Sequence, residues 1–133
     1  MESADWDAVA AELDGLGGAL LPRLVTKAEA TTLRGLYSDD RMFRATIDMR
    51  RHRFGEGEYR YFQRPYPKPI NELKRALYPR LLPIARDWWR KLGRVAPWPD
   101  DLDDSLDMGH AAGQNRSTAI LLRYGQGDWT ALH

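Results

Sequence analysis

The chain has 133 residues, with 20 Lys and Arg against 19 Asp and Glu, and no cysteine. That length carries one domain with a real core, and the missing cysteine excludes a disulfide framework, a thiol nucleophile and zinc–thiolate chemistry while fitting a reducing compartment. No apolar run approaches the roughly 20 residues of a membrane span, and the start Met-Glu-Ser-Ala-Asp is acidic where a signal peptide is basic, so the expectation is a cytoplasmic protein without a membrane partner.

Trp6, Val9, Ala10, Leu13 and Leu16 recur at helical spacing behind Ser3 and Asp5, both suitable caps, and Gly15, Gly17 and Gly18 end that helix. Ala19 to Val25 reads as a short strand or an extended lead-in to the core. Thr26-Lys-Ala-Glu29 is a capping box that opens a second helix, with Ala30, Leu33, Leu36 and Tyr37 inward and Ser38-Asp39-Asp40 closing it. Phe43, Ala45, Ile47 and Met49 alternate with Arg44, Thr46, Asp48 and Arg50, which predicts a half-buried strand. Phe54-Gly-Glu-Gly57 supplies a turn, and Glu58 to Phe62 the next strand. Pro65, Pro67 and Pro69 predict an extended connection.

Leu73, Leu77, Leu81, Ile84, Trp88 and Leu92 trace an apolar stripe that Pro79 and Pro83 interrupt, so the expectation is two consecutive helices, with Pro79 near the first turn of the second and Gly93 after its end. A short helix over Asp100 to Met108 would bury Leu102 and Leu106, and its acids read as a solvated helix face. His110 to Arg116 reads as a loop. Ile120, Leu122 and Tyr124 then form a strand face, Gly125-Gln-Gly-Asp128 a turn, and Trp129, Ala131 and His133 one face of a returning strand, the pattern of a hairpin.

The net charge of +1 hides an uneven distribution. Arg41 to Lys68 holds eight basic residues against three acids, whereas Pro97 to Asp107 holds five Asp and no base. Arg50, Arg51 and Arg53, set among the aromatic residues of the Phe43–Tyr66 stretch, are therefore candidate nucleic-acid contacts, with guanidiniums on phosphates and rings stacking bases. The competing reading is an ordinary charged strand face beside buried rings.

Leu122-Arg-Tyr124, a Gly turn and then His133 nine residues after the tyrosine resemble the iron(II)- and 2-oxoglutarate-dependent dioxygenases, with AlkB-like nucleic-acid demethylases and prolyl-hydroxylase-type enzymes the nearest in kind. Further stretches, Arg44 to Met49, His52 to Phe62, Ala76 to Leu81 and His110 to Gln114, resemble a bacterial branch of oxygenases acting on damaged nucleic acid. The resemblance implies Fe(II), 2-oxoglutarate and O2 in the full-length enzyme, Tyr124 as a contact to 2-oxoglutarate, and His133 as the first metal ligand of a His-x-Asp motif. It also implies damaged DNA or RNA as substrate. Where the demethylases carry Asn two residues before the tyrosine, this chain has Leu122.

A facial triad needs two imidazoles and a carboxylate, and residues i and i+2 of a strand point the same way, so the Asp belongs two residues after His133. The expectation is thus an α+β fold, N-terminal helices packed on an incomplete double-stranded β-helix of jelly-roll or cupin type. Residues 1–133 would form a single, truncated N-terminal part of an oxygenase domain, itself inactive. Two alternatives stand beside it: a protein (prolyl-type) or small-molecule hydroxylase of the same superfamily, and a non-enzymatic binding module.

Overall fold

The computed structural model describes residues 4–53 and 55–131; Ser3, Phe54 and His133, singled out above, lie outside the described residues. In chain order the elements are helices α1 (Trp6–Leu16) and α2 (Lys27–Leu36), a 3-10 turn (Asp40–Met42), strand β1 (Phe43–Asp48), a 3-10 turn (Met49–His52), strands β2 (Gly55–Glu56) and β3 (Glu58–Phe62), helices α3 (Lys68–Lys91) and α4 (Leu102–Ala111), and strands β4 (Ile120–Arg123) and β5 (Trp129–Thr130). The class is α+β, as expected. The chain divides into two compact units, one drawn from Met1–Lys27 and Pro69–Asn115, the other from Ala28–Lys68 and Arg116–His133.

The first unit is helical. Asp5 caps α1 by accepting a hydrogen bond from the Ala8 amide, and Gly17 ends it in the left-handed region at φ 73°. Ala19–Val25 forms no strand, and Leu20 is exposed. Asp14 of α1 accepts from the Trp88 indole and, at 2.9 Å, from the Lys91 ammonium of α3. In α4, the Asp101 carboxylate caps the amides of Asp103 and Asp104, and the helix runs through His110, which was expected in a loop. Leu102 and Leu106 are half-buried while Asp103, Asp104 and Asp107 are exposed, the solvated acidic face that was expected.

α3 corrects two expectations. It is one helix of 24 residues that contains both Pro79 and Pro83. Leu82 is its buried residue; of the expected stripe Leu73, Leu77 and Ile84 are half-buried, as are Tyr78, Ala85 and Trp89, while Leu81, Trp88 and Leu92 are exposed. The two corrections share a cause. Pro79 and Pro83 are four residues apart and both exposed, so the carbonyls they leave without a partner, those of Arg75 and Pro79, lie on the solvated side, where water satisfies them. The buried side is stapled past the prolines: the Tyr78 hydroxyl donates to the Pro99 carbonyl at 2.8 Å, Arg86 donates to the Trp98 carbonyl at 2.6 Å, and Trp89 meets Trp98 edge-on at 5.0 Å. Pro69, expected in the extended connection, lies in the first turn of α3, where its missing N–H costs nothing.

The second unit holds α2 and the strands. Three strands form an antiparallel sheet in the order β1-β3-β4, and β2 pairs with β5 in a separate antiparallel ladder. The expected hairpin between β4 and β5 is therefore absent: successive strands leave the Gly125–Asp128 turn for different partners. The register puts Ile47, Tyr59 and Leu122 in one row and Ala45, Tyr61 and Ile120 in the next, so these side chains share a face. Thr46, Arg60 and Leu121, with Glu58 and Arg123, occupy the other.

A register shift between Phe43 and Ala45 breaks the alternation read from the sequence. The extra residue of the bulge turns Phe43 to the face of Phe62 and Arg60, where its ring lies 4.7 Å from Phe62 and 5.9 Å from Tyr37. Among the described residues of this unit, Tyr37, Phe43, Met49 and Phe62 are the buried hydrophobics. Of the α2 positions expected inward, Leu33 and Leu36 are half-buried and Ala30 is exposed.

Candidate functional site

Tyr124 follows β4 and is 44% exposed. It extends the Ile120–Leu122 side of the strand, and its ring covers Gly57: a Cβ on Gly57 would stand 3.0 Å from Tyr124 Cδ1. Gly57 is at φ 140°, outside the range of other residues, so this position is closed to a side chain by backbone and neighbour alike. The Gly57 carbonyl accepts the Met49 amide at 3.0 Å, which seats the 3-10 turn Met49–His52 beside the same glycine. The structure thus brings Tyr124 next to the turn that bears the three candidate arginines.

Those arginines are exposed. Asp48 starts the turn by accepting the Arg50 amide at 3.0 Å, and its carboxylate lies 3.5 Å from Arg50 Nε, an open surface contact. Arg53 closes the turn at φ 58°, with its amide on the Arg50 carbonyl. Arg51 and Arg53 make no ion pair among the described residues. His133, the expected iron ligand, lies outside the described residues.

On the opposite face sits a cluster that the sequence reading did not assemble. The Tyr37 hydroxyl donates to Glu58 Oε1 at 2.5 Å, and Arg123 Nη2 donates to the same oxygen at 3.0 Å. Arg60 donates from Nε to Thr46, from Nη1 to the Tyr37 carbonyl and from Nη2 to Asp40, with its guanidinium 4.2 Å over the Phe43 ring. Burial, then the hydrogen bond and charge of Glu58, push the Tyr37 phenol up to about 12. Each guanidinium nitrogen of Arg60 has its own acceptor, so this cluster holds the sheet to the segment at Tyr37–Asp40. Arg123 is its outer member at 63% side-chain exposure. The signal for it was present in β3, where Glu58 and Arg60 alternate with Tyr59 and Tyr61.

The apolar face carries Tyr59 and Tyr61, 5.6 Å apart and edge to face. Burial and the adjoining Tyr61 hydroxyl push the Tyr59 phenol up. The Arg44 guanidinium lies 4.3 Å over the Tyr61 ring, held there by bonds to the Ser117 hydroxyl (3.0 Å) and carbonyl (2.7 Å). Ser117 is buried and donates in turn to the Phe62 carbonyl.

Among the described residues no three His, Cys, Asp or Glu side chains come together to hold a metal ion, so these residues do not by themselves fit an iron centre. Among the described residues no helix is long and apolar enough to cross a membrane.

A family model described as "Oxygenase, catalysing oxidative methylation of damaged DNA" matches residues 57–133, more than half of the chain. The chain belongs to that oxygenase family. Two curated relatives from Mycobacterium tuberculosis, the uncharacterized proteins MT2286 of strain CDC 1551 / Oshkosh and Rv2227 of strain ATCC 25618 / H37Rv, are each 65% identical to it over 72 residues, 54% of this chain and 31% of the relative. The aligned segment thus spans about a third of the length of these relatives. No solved structure matches.

Proposed function

We propose that the protein serves as an Fe(II)- and 2-oxoglutarate-dependent oxygenase that hydroxylates an N-alkyl carbon of damaged nucleic acid. The observation that carries this reading is the family match over residues 57–133, the segment containing Gly57, the aromatic strand β3 and Tyr124. On the resemblance of Leu122-Arg-Tyr124 and His133 to the dioxygenases, we assign Tyr124 as a 2-oxoglutarate contact and His133 as the first iron ligand. The triad needs two further protein ligands, which residues beyond those aligned with the relatives would have to supply.

The strand pairing supports the jelly-roll part of the proposal. β3 with β4 and β2 with β5 are nested pairs, and nested antiparallel pairs that alternate between two sheets are how a jelly roll is wound. The test is turnover by a protein of the relatives' full length on an N-methylated single-stranded oligonucleotide. Loss of the methyl group should require both Fe(II) and 2-oxoglutarate. Demethylation without either one would overturn the cofactor assignment. Use of 2-oxoglutarate with peptide or small-molecule substrates, and none with methylated DNA, would move the substrate to another class.

A further inference from the structure

We propose that the outer edge of β4 is an interface between two copies of this chain, which pair antiparallel about a two-fold axis at Leu121. β4 closes one side of the β1-β3-β4 sheet, and among the described residues no strand lies beyond it. The Phe62 amide donates to the Ala119 carbonyl at 3.0 Å, and in an antiparallel ladder such bonded pairs alternate with unbonded ones. Leu121 and Arg123, opposite Arg60 and Glu58, therefore turn their backbone groups to β3, while Ile120 and Leu122 turn theirs off the sheet. Among the described residues no backbone group meets them there. The same two residues are exposed, at 40% and 45%. β1, the other edge, is guarded by the bulge between Phe43 and Ala45 and by the charges of Arg44 and Asp48. β4 reads Ile-Leu-Leu-Arg, with no bulge, no proline and its charge at the end. An open, apolar, unguarded edge is a template for a further strand.

Register and charge select a second copy as the occupant. With Leu121 on the axis, Ile120 faces Leu122 of the second copy, so every outward donor and acceptor of these two residues gains a partner. Their side chains join into one apolar row on one face, and Leu121 meets its own counterpart on the other. Arg116, before β4, is exposed and makes no ion pair among the described residues. Asp128, after β4, accepts the Gly125 amide at 2.7 Å and meets no cation among the described residues. The antiparallel register sets Arg116 opposite the second copy's Gly125–Asp128 turn, cation against acid. It also sets Arg123 opposite Ala119 of the second copy, so like charges are kept apart. A parallel pairing would lay each arginine beside its own counterpart. The inference rests on the edge alone and does not depend on the oxygenase reading.

The test is sedimentation velocity of the 133-residue chain across the micromolar range, with circular dichroism to check that each variant is folded. The parent should pass from monomer to dimer as its concentration rises. Ile120→Lys and Leu122→Lys put a charge on the edge and should each abolish the dimer, whereas Leu122→Val should keep it. Leu92→Lys, at an exposed apolar position of α3, should leave it unchanged. Cross-linking reads the register, because the chain has no cysteine of its own. Leu121→Cys sets two thiols across an unbonded pair with Cα atoms about 4.5 Å apart, within the reach of a disulfide, so mild oxidation should join the copies. Arg123→Cys sets them roughly 14 Å apart along the strands and should not cross-link. A parent that stays monomeric would overturn the proposal and leave the edge to a strand of another origin. So would a dimer that survives both edge lysines, one that Leu92→Lys abolishes, or one that Arg123→Cys cross-links as readily as Leu121→Cys.

Discussion

The side chain that ties the most of the strand-bearing unit together is Arg60. It is 12% exposed, makes three directed hydrogen bonds and lies flat on Phe43. A lysine has the charge but neither the fork nor the plane, so Arg60→Lys should leave the Tyr37 carbonyl or Thr46 unserved and lower stability by about 1–3 kcal/mol. Urea unfolding would read this as a lower midpoint; an unchanged midpoint would mean that the cluster is replaceable. The same cluster makes a pH prediction through Tyr37. Its phenol titrates near 10 in an unfolded chain and is pushed up to about 12 in the fold, by burial first and by Glu58 second. The fold thus favours the protonated phenol. That contribution is complete below about pH 10 and is lost as the pH rises from there to about 12. Arg60 and Arg123 are the cations facing the phenol and soften the change. Tyr37→Phe should be less stable at neutral pH but should show a shallower decline in stability above pH 10, measured by thermal unfolding across that range.

Among the elements, α3 makes the sharpest prediction. A proline inside a helix costs about 3 kcal/mol relative to alanine, and the two interior prolines of α3, Pro79 and Pro83, sit on its exposed side, away from the packed residues Tyr78, Leu82 and Trp89. Pro79→Ala and Pro83→Ala should each raise the melting temperature, because a backbone donor returns and nothing buried is removed. A fall in melting temperature would show that the helix depends on a bend at that position. The same helix shows what could be read in advance. α1, α4 and β3 were legible because their signals are local: Asp5 as a cap and Gly17 as a stop for α1, Leu102 and Leu106 among acids for α4, and the run Glu58 to Phe62 after a glycine turn for β3. α3 was misread because proline is also a local signal, and here packing against Trp98 and Pro99 outweighs it. The β4–β5 hairpin was misread because turn chemistry says that a chain reverses, not which strand it then joins. The bulge at Phe43 has no local signal, and the alternation in β3 puts Glu58 and Arg60 on one face without disclosing that Tyr37 and Arg123, far off in sequence, join them there. Tyr124 was singled out by family resemblance, but its seat on Gly57 is visible only in three dimensions.

At the scale of the whole molecule the proposed iron chemistry turns on the count of ligands. Charge offers no substitute: at a net charge of +1 the chain has no general attraction for a cation, so affinity for Fe(II) must come from a built donor set. Among the described residues no three potential ligands converge, and His133, the proposed first ligand, would supply one imidazole where the proposed triad needs two and a carboxylate. The 133-residue chain should therefore show no stoichiometric Fe(II) binding by isothermal titration calorimetry and no decarboxylation of 2-oxoglutarate. A longer version that supplies an Asp two residues after His133 and a distal His should gain both. In that version His133→Ala should abolish turnover. Tyr124→Phe should chiefly raise the concentration of 2-oxoglutarate required, because it removes one contact to a co-substrate and not a group at the reacting centre. Turnover that survives His133→Ala would remove His133 from the metal site. Tight Fe(II) binding by the 133-residue chain would overturn the triad reading altogether and make His52 and His110 the first positions to substitute.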